Sequence, residues 1–186
     1  MKLQKFNHLV ESLMTLPSVG KKSALRFAYH LTLVDTFGAM RLAHAVEDAV
    51  QNIKRCKKCG GVSEHEICEI CLDEVRSNGQ LCVIESAKDI FTLEENGLFL
   101  GRYFVFDDLE KIEKLKSIIH EAEAKEVIFA FTPSLASDAM ILFIEDKLQD
   151  LSLSFTKIAQ GVPTGVQLEN VDMLSLSKAL KDRIKI

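Results

Sequence analysis

Nothing in this 186-residue chain is long, apolar and uninterrupted. No run approaches the ~20 residues that a membrane-spanning helix needs. The opening MKLQKFNHLV mixes charge with apolar side chains and lacks the continuous apolar stretch of a secretory signal. Tryptophan is absent, proline occurs three times, and no tract of biased composition breaks the chain. Those absences exclude fibrous and low-complexity classes. Cysteine is scarce too, and four of the five cluster, which points away from a disulfide scaffold and towards metal binding in a reducing, cytoplasmic setting. The net charge of −4 lacks the positive excess of a protein that coats nucleic acid. That average conceals a division: residues 1–78 hold 11 Lys and Arg against 9 Asp and Glu, whereas 79–186 hold 12 against 18. A basic contact surface and an acidic partner face can therefore coexist. With 47% hydrophobic residues the chain can bury a core, as one domain or as two small ones.

The first third has helical periodicity. Leu3, Phe6, Leu9, Val10 and Leu13 predict a helix over 2–14, and Leu25, Ala28, Tyr29 and Leu31 predict a second over 21–33. A third is expected over 37–53, with Leu42, Val46, Ala49, Val50 and Ile53 facing inward. Between the first two lies LPSVGKK, where Pro17 stiffens the turn and Gly20 is expected to supply positive φ. Such a turn leaves the first N–H groups of the second helix unpaired and outward-facing, which suits a phosphate. Lys21 and Lys22 add charge there, and Arg26 follows one turn beyond Lys22. The stretch resembles the helix-hairpin-helix motif, which grips the nucleic-acid backbone without reading sequence. A plain helical hairpin with solvated lysines is the alternative. His30 and His44 are expected to pack or be solvated.

CKKCGGVSEHEICEIC follows, with Cys56, Cys59, Cys68 and Cys71 in two C-x-x-C knuckles. Each knuckle brings two sulfurs to about 2.3 Å from one ion, and four thiolates complete a closed tetrahedral zinc site with no position for water. The expected role is structural. A redox pair is the rival, and His65 is a weaker candidate ligand. Gly60 and Gly61 permit the turn, and Lys57 and Lys58 offset the charge of the thiolates. Cys82, inside the apolar run LCVI, is expected in the core.

Strands and helices then alternate. LCVI, YFVF, VIFAF and the stretch 155–159 read as strands; 107–124 and 134–150 read as helices, with another through Ile90, Phe91 and Leu93. The pattern predicts a parallel sheet covered on both faces, with function at the carboxyl ends of its strands. Glu85, residues 132–138 and the GVPTG loop at 161–165 are expected near that edge. The loop is either a turn or a phosphate-binding element.

Taken in order, these parts resemble the RecR family of bacterial recombination mediators over nearly the whole chain. The spacing C-x2-C-x8-C-x2-C, then Asp73 and Arg76, then a strand ending V-I-E, carries the likeness, and GVPTG, LEN and KALKDR near the end support it. The resemblance implies an α/β chain in four parts: a helical helix-hairpin-helix region (1–54), a four-cysteine zinc finger (55–78), a Toprim-type parallel sheet flanked by helices (79–165) and a helical tail (166–186). It implies DNA contacts at Lys22 and Arg26, with Lys21 beside them, and zinc on the four cysteines. It places partner-binding acids at Glu85 and Asp89, with Asp138 retained from the family's acidic pattern. Partners implied are single- and double-stranded DNA, RecO and in many bacteria RecF, in support of RecA loading. A homodimer or homotetramer in the nucleoid-associated cytoplasm is implied as well. Two departures stand out. YFVFDDLEKIEKL runs almost directly from strand to helix without the family's longer loop. In TPSLASDA, Ala136 and Ser137 fill places where an acid and a glycine are usual. One glutamate and one aspartate make a poor magnesium site, so a DNA-binding scaffold without catalytic residues is expected. A magnesium-dependent Toprim nuclease or primase-like enzyme, and a zinc-stabilised interaction protein with no DNA role, are the alternatives.

Overall fold

A computed structural model describes residues 3–181 except Asn96, Leu98, Gln160 and Pro163. It divides into two compact units, Met1–Ile53 and Lys54–Ile186.

In the first unit, α1 (Gln4–Met14) packs on α2 (Lys21–Tyr29). Val10, Ala24 and Ala28 are buried at the seam, with Phe6, Leu9, Leu13 and Val19 around them. Two alanines one turn apart let the helices approach closely. The α-helix expected through residue 33 stops at Tyr29, and His30–Val34 widens into a π-turn. Its cause is local: the Thr32 hydroxyl donates to the Ala28 carbonyl at 2.7 Å, while the Asp35 N–H reaches back to His30 O at 2.9 Å. Helix α3 (Thr36–Asn52) follows, its start capped by the Asp35 side chain, which accepts from Gly38 N–H at 2.7 Å. The expectation of an inward apolar face on α3 does not hold within this unit. None of its residues is buried, and Val50 is 77% exposed. The periodicity shows that this face is apolar, but no element of the unit covers it.

The second unit opens with an antiparallel ribbon, β1 (Lys54–Arg55) and β2 (Val62–Ser63), then the short α4 (Glu69–Leu72) and a 3-10 turn at Glu74–Arg76. A four-stranded sheet follows: β3 (Gln80–Ile84), β4 (Arg102–Val105), β5 (Glu126–Ala130) and β6 (Ser154–Lys157). The spatial order is β4-β3-β5-β6 and every pairing is parallel. Helices α5 (Ala87–Glu95), α6 (Ile112–Glu121) and α7 (Leu135–Leu148) connect the strands, and α8 (Met173–Lys181) comes last. Alternation along the strands sorts two cores. Leu81, Val83, Phe104, Phe106, Val127 and Phe129 face Leu115, Ile119, Ile144 and Leu148 of α6 and α7. Cys82, Ile84, Tyr103 and Val105 face the other way, towards Ile90 of α5 and Ile70 of α4. Burial on both sides explains why LCVI and YFVF are continuously apolar. Cys82 is a core residue, as expected.

One polar network joins the exit of the cysteine segment to the sheet. Arg76 forks onto Glu94, at 2.8 and 2.5 Å, and also donates to Gly101 O at 3.3 Å. The Tyr103 hydroxyl donates to the same carboxylate at 2.7 Å. Burial resists ionisation of Glu94, but the Arg76 and Tyr103 hydrogen bonds outweigh it and hold the carboxyl below its ordinary range. Replacing Glu94 with Gln should therefore cost about 1–3 kcal/mol at pH 7 in urea unfolding. A lowered folded-state pKa contributes stability above the unfolded value, about 4.3, that is lost as pH falls through the folded value. The gap between the native chain and E94Q should accordingly narrow in unfolding measured at pH 3.

Candidate metal centre and nucleic-acid interface

The cysteine site is built by two tight turns. Gly60 adopts φ +77° and its N–H returns to Cys56 O at 3.0 Å, while Cys71 N–H returns to Cys68 O at 3.0 Å. Gly61 lies so close to α5 that a Cβ there would sit 2.8 Å from Ile90 Cδ1. Cys56, Cys59, Cys68 and Cys71 are all buried, and their four Sγ atoms lie within 4.8 Å of one another. Cys56 Sγ is 3.9 Å from Cys71 Sγ, and Cys59 Sγ is 3.6 Å from Cys68 Sγ. A tetrahedron with 2.3 Å zinc–sulfur bonds has edges of about 3.8 Å. Two backbone donors already point at sulfur: Gly61 N–H at Cys59 and Cys68 N–H at Cys56, both at 3.3 Å. As thiols the groups compete for protons. Hydrogen bonds from Cys59 and Cys71 pull Cys68 far down, and those with Cys68 and Cys71, with burial, push Cys59 up. A divalent cation lets all four be thiolates together, so the donor set fits zinc in a closed, structural site.

Lys57 pairs with Glu66 at 2.6 Å and Lys58 with Glu121 at 3.0 Å, and Lys58 lines one small cavity with Cys59 and Cys71. His65 is exposed and outside the cluster. Among the described residues the four cysteines form the one group of three or more metal-ligating side chains close enough for a single ion.

On the hairpin, Lys21, Lys22 and Arg26 are all exposed on α2. The turn before it is not made as expected. Gly20 has φ −83° and ψ 168°, ordinary extended backbone, and Ser18 takes the positive φ, +64°. A Cβ on Gly20 would meet nothing within 4 Å. The glycine is thus dispensable for the fold of this unit, yet it leaves the start of α2 without any side-chain cap. No acidic residue occupies the first turn. Among the described residues Lys21, Lys22 and Arg26 enter no ion pair; Arg26 lies 5.6 Å from the centroid of the Phe27 ring. Uncapped N–H groups, the helix dipole and three cations without an ion-pair partner among the described residues suit an anion.

The acids at the sheet edge are different. Strand order reverses between β3 and β5, and Glu85 and the 132–138 segment follow those two strands. Glu85 accepts from Thr132 N–H at 2.9 Å and from the buried Ser137 hydroxyl at 2.8 Å. Ser137 Oγ also lies 2.6 Å from Thr132 O, so its single proton is shared between two acceptors. Asp89 accepts from Ser86 N–H at 3.1 Å, at the start of α5. Asp138 pairs with Lys157 at 2.5 Å, which holds its carboxyl below the usual range. Ser137, noted in the sequence only as a departure from the family's pattern, and Lys157, unremarked there, therefore set the state of this edge. Lys157 could not have been found by spacing, because only the β5–β6 pairing brings it near. The GVPTG loop includes Pro163, which lies outside the described residues.

Changing Cys68 to Ser, or stripping metal with a chelator, should remove one zinc per chain by elemental analysis and lower the unfolding temperature. Most of the circular dichroism signal should survive, because the main sheet core contains none of these cysteines.

Residues 6–50 match the family model described as RecR, helix-hairpin-helix, and residues 53–73 match the model for the RecR zinc finger domain with four cysteines. The chain is 58% identical to the Recombination protein RecR of Nitratiruptor sp., covering 100% of this chain and 98% of that one. Identity is 56% to the RecR of Campylobacter jejuni subsp. doylei, over 99% and 98%, and 51% to that of Helicobacter pylori strain Shi470, over 98% and 96%. Similarity of that extent, with the two motif matches on the hairpin and the cysteines, establishes that the chain belongs to the RecR family of recombination proteins.

Proposed function

We propose that this chain is a DNA-binding mediator of recombinational repair, a scaffold rather than a catalyst. The observation that carries the reading is the uncapped start of α2, where Lys21, Lys22 and Arg26 stand with no carboxylate partner among the described residues. Donors and cations of that kind hold phosphates on single- or double-stranded DNA alike, without reading bases. In this reading residues 1–54 bind DNA, 55–78 hold zinc, 79–165 form the Toprim-type partner domain and 166–186 the tail. Glu85, Asp89 and Asp138 offer an acidic edge to RecO, and to RecF where it exists, in support of RecA loading. The short connection after β4 presents no long loop to partners: Asp107 is held there by Lys111 and by Arg55, at 2.9 Å from the latter. The exposed apolar face of α3 supports assembly as a homodimer or homotetramer, which multiplies modest DNA contacts. The cytoplasm around the nucleoid is the matching location; no helix among the described residues is long and apolar enough to cross a membrane. The magnesium-enzyme reading is disfavoured because Glu85 is engaged by Thr132 and Ser137, and Asp138 by Lys157.

Replacing Lys22 and Arg26 with Ala should weaken DNA binding on all sequences equally and reduce the slope of log affinity against log salt by about 2. Unchanged slope in fluorescence anisotropy titrations rejects the interface. Gly20→Asp separates function from fold. An Asp cap should preserve or raise helix stability by about 0.5–1 kcal/mol while its carboxylate repels phosphate and lowers DNA affinity. Replacing Glu85 and Asp89 with Ala should leave DNA binding intact and reduce capture of RecO in a pull-down; equal recovery removes them from that contact.

A further inference from the structure

Zinc on four thiolates leaves a buried site with a net charge of about −2, and such charge needs nearby compensation. The two lysines of the first knuckle are each shared with a carboxylate, Glu66 and Glu121. Backbone N–H groups serve Cys59 and Cys56. What remains lies at the outer edge of the sheet. Strand β4 is an edge strand, and the cysteine segment closes that edge, with Val105 N–H donating to Cys59 O at 2.8 Å. A cavity of about 10 Å³ sits beside this junction, lined by Cys59 and Cys71, by Lys58 and Glu121, and by Arg102 at the start of β4. The Nε of Arg102 is buried and has no hydrogen-bond partner among the described residues. None of the ion pairs among those residues involves Arg102 either.

We infer that Arg102 is an outer-sphere partner of the four-cysteine centre, its orphaned Nε–H reaching a ligand sulfur through one water held in this cavity. A cavity this small holds at most a single water, so no larger mediator fits. Guanidinium is permanently charged and weakly hydrated, which suits a half-buried place beside thiolate sulfur better than an ammonium would. Thiolates accept hydrogen bonds, and donation to them spreads their negative charge without displacing the metal. Arg102 is thus a positioning residue, acting through Cys59 or Cys71. The inference rests on the zinc assignment and is independent of DNA binding.

The test uses the full zinc-loaded chain with Arg102→Leu, Arg102→Gln and Arg102→Lys. Zinc retention is measured by chelator competition, the thiolate-to-metal absorption band by cobalt substitution, and sulfur exposure by the rate of alkylation, with circular dichroism as the check on folding. R102L and R102Q should hold zinc about 10-fold more weakly, as loss of an outer-sphere partner does. They should also shift the cobalt band and speed alkylation. R102K should lie closer to the native chain on all three. A purely structural arginine would leave the cobalt band where it is. Folded R102L with native zinc affinity and an unmoved band overturns the assignment. Should R102L not fold, identical values for R102Q, R102K and the native chain overturn it equally. A native chain that takes up neither zinc nor cobalt removes the inference together with the metal site beneath it.

Discussion

Four sulfurs buried within reach of one ion impose the constraint on which the segment at the edge of the sheet is folded. Their mutual repulsion as thiolates is relieved by a divalent cation, and the closed ligand set leaves that cation no chemistry beyond holding. Around it the chain is tied to the sheet at several points. Cys59 O accepts from Val105 N–H at the edge of β4, Gly61 fits under Ile90, and Arg76 forks onto Glu94 beside Tyr103. A segment too short for a core of its own thereby becomes a cap on an otherwise open strand edge.

The two charged regions are in opposite states. On α2 the cations are unpaired, the first turn is uncapped and a glycine keeps the approach clear. At the sheet edge every acid singled out from the sequence has a local partner: a backbone N–H and a serine for Glu85, a backbone N–H for Asp89, a lysine for Asp138. Unsatisfied groups call for an external ligand, whereas satisfied ones shape a surface. That contrast is the physical ground for reading one region as a grip and the other as a platform.

Apolar periodicity meant two different things along this chain. In β3, β4 and β5 it marked residues buried on both faces of the sheet. In α3 the same regularity marked a face that remains open within its unit, from Leu42 to Val50. Hydrophobic spacing specifies that a surface is apolar; it carries no information on whether the covering partner belongs to the same folding unit.

The cysteine quartet, the basic hairpin and the alternation that makes a parallel sheet could be read from the residues alone, because each is written in local spacing. The Cys-x-x-Cys knuckles and the strands ending before Glu85 and Thr132 were legible for that reason. Folding in three dimensions settled other features. It put the positive φ on Ser18 rather than Gly20 and paired Lys57 and Lys58 with carboxylates. It also brought Lys157 to Asp138 and Glu94 to Arg76, and set Arg102 with Cys59 and Cys71 around one small cavity. Those pairings join residues many positions apart, and their existence depends on strand order and register, which no local pattern encodes.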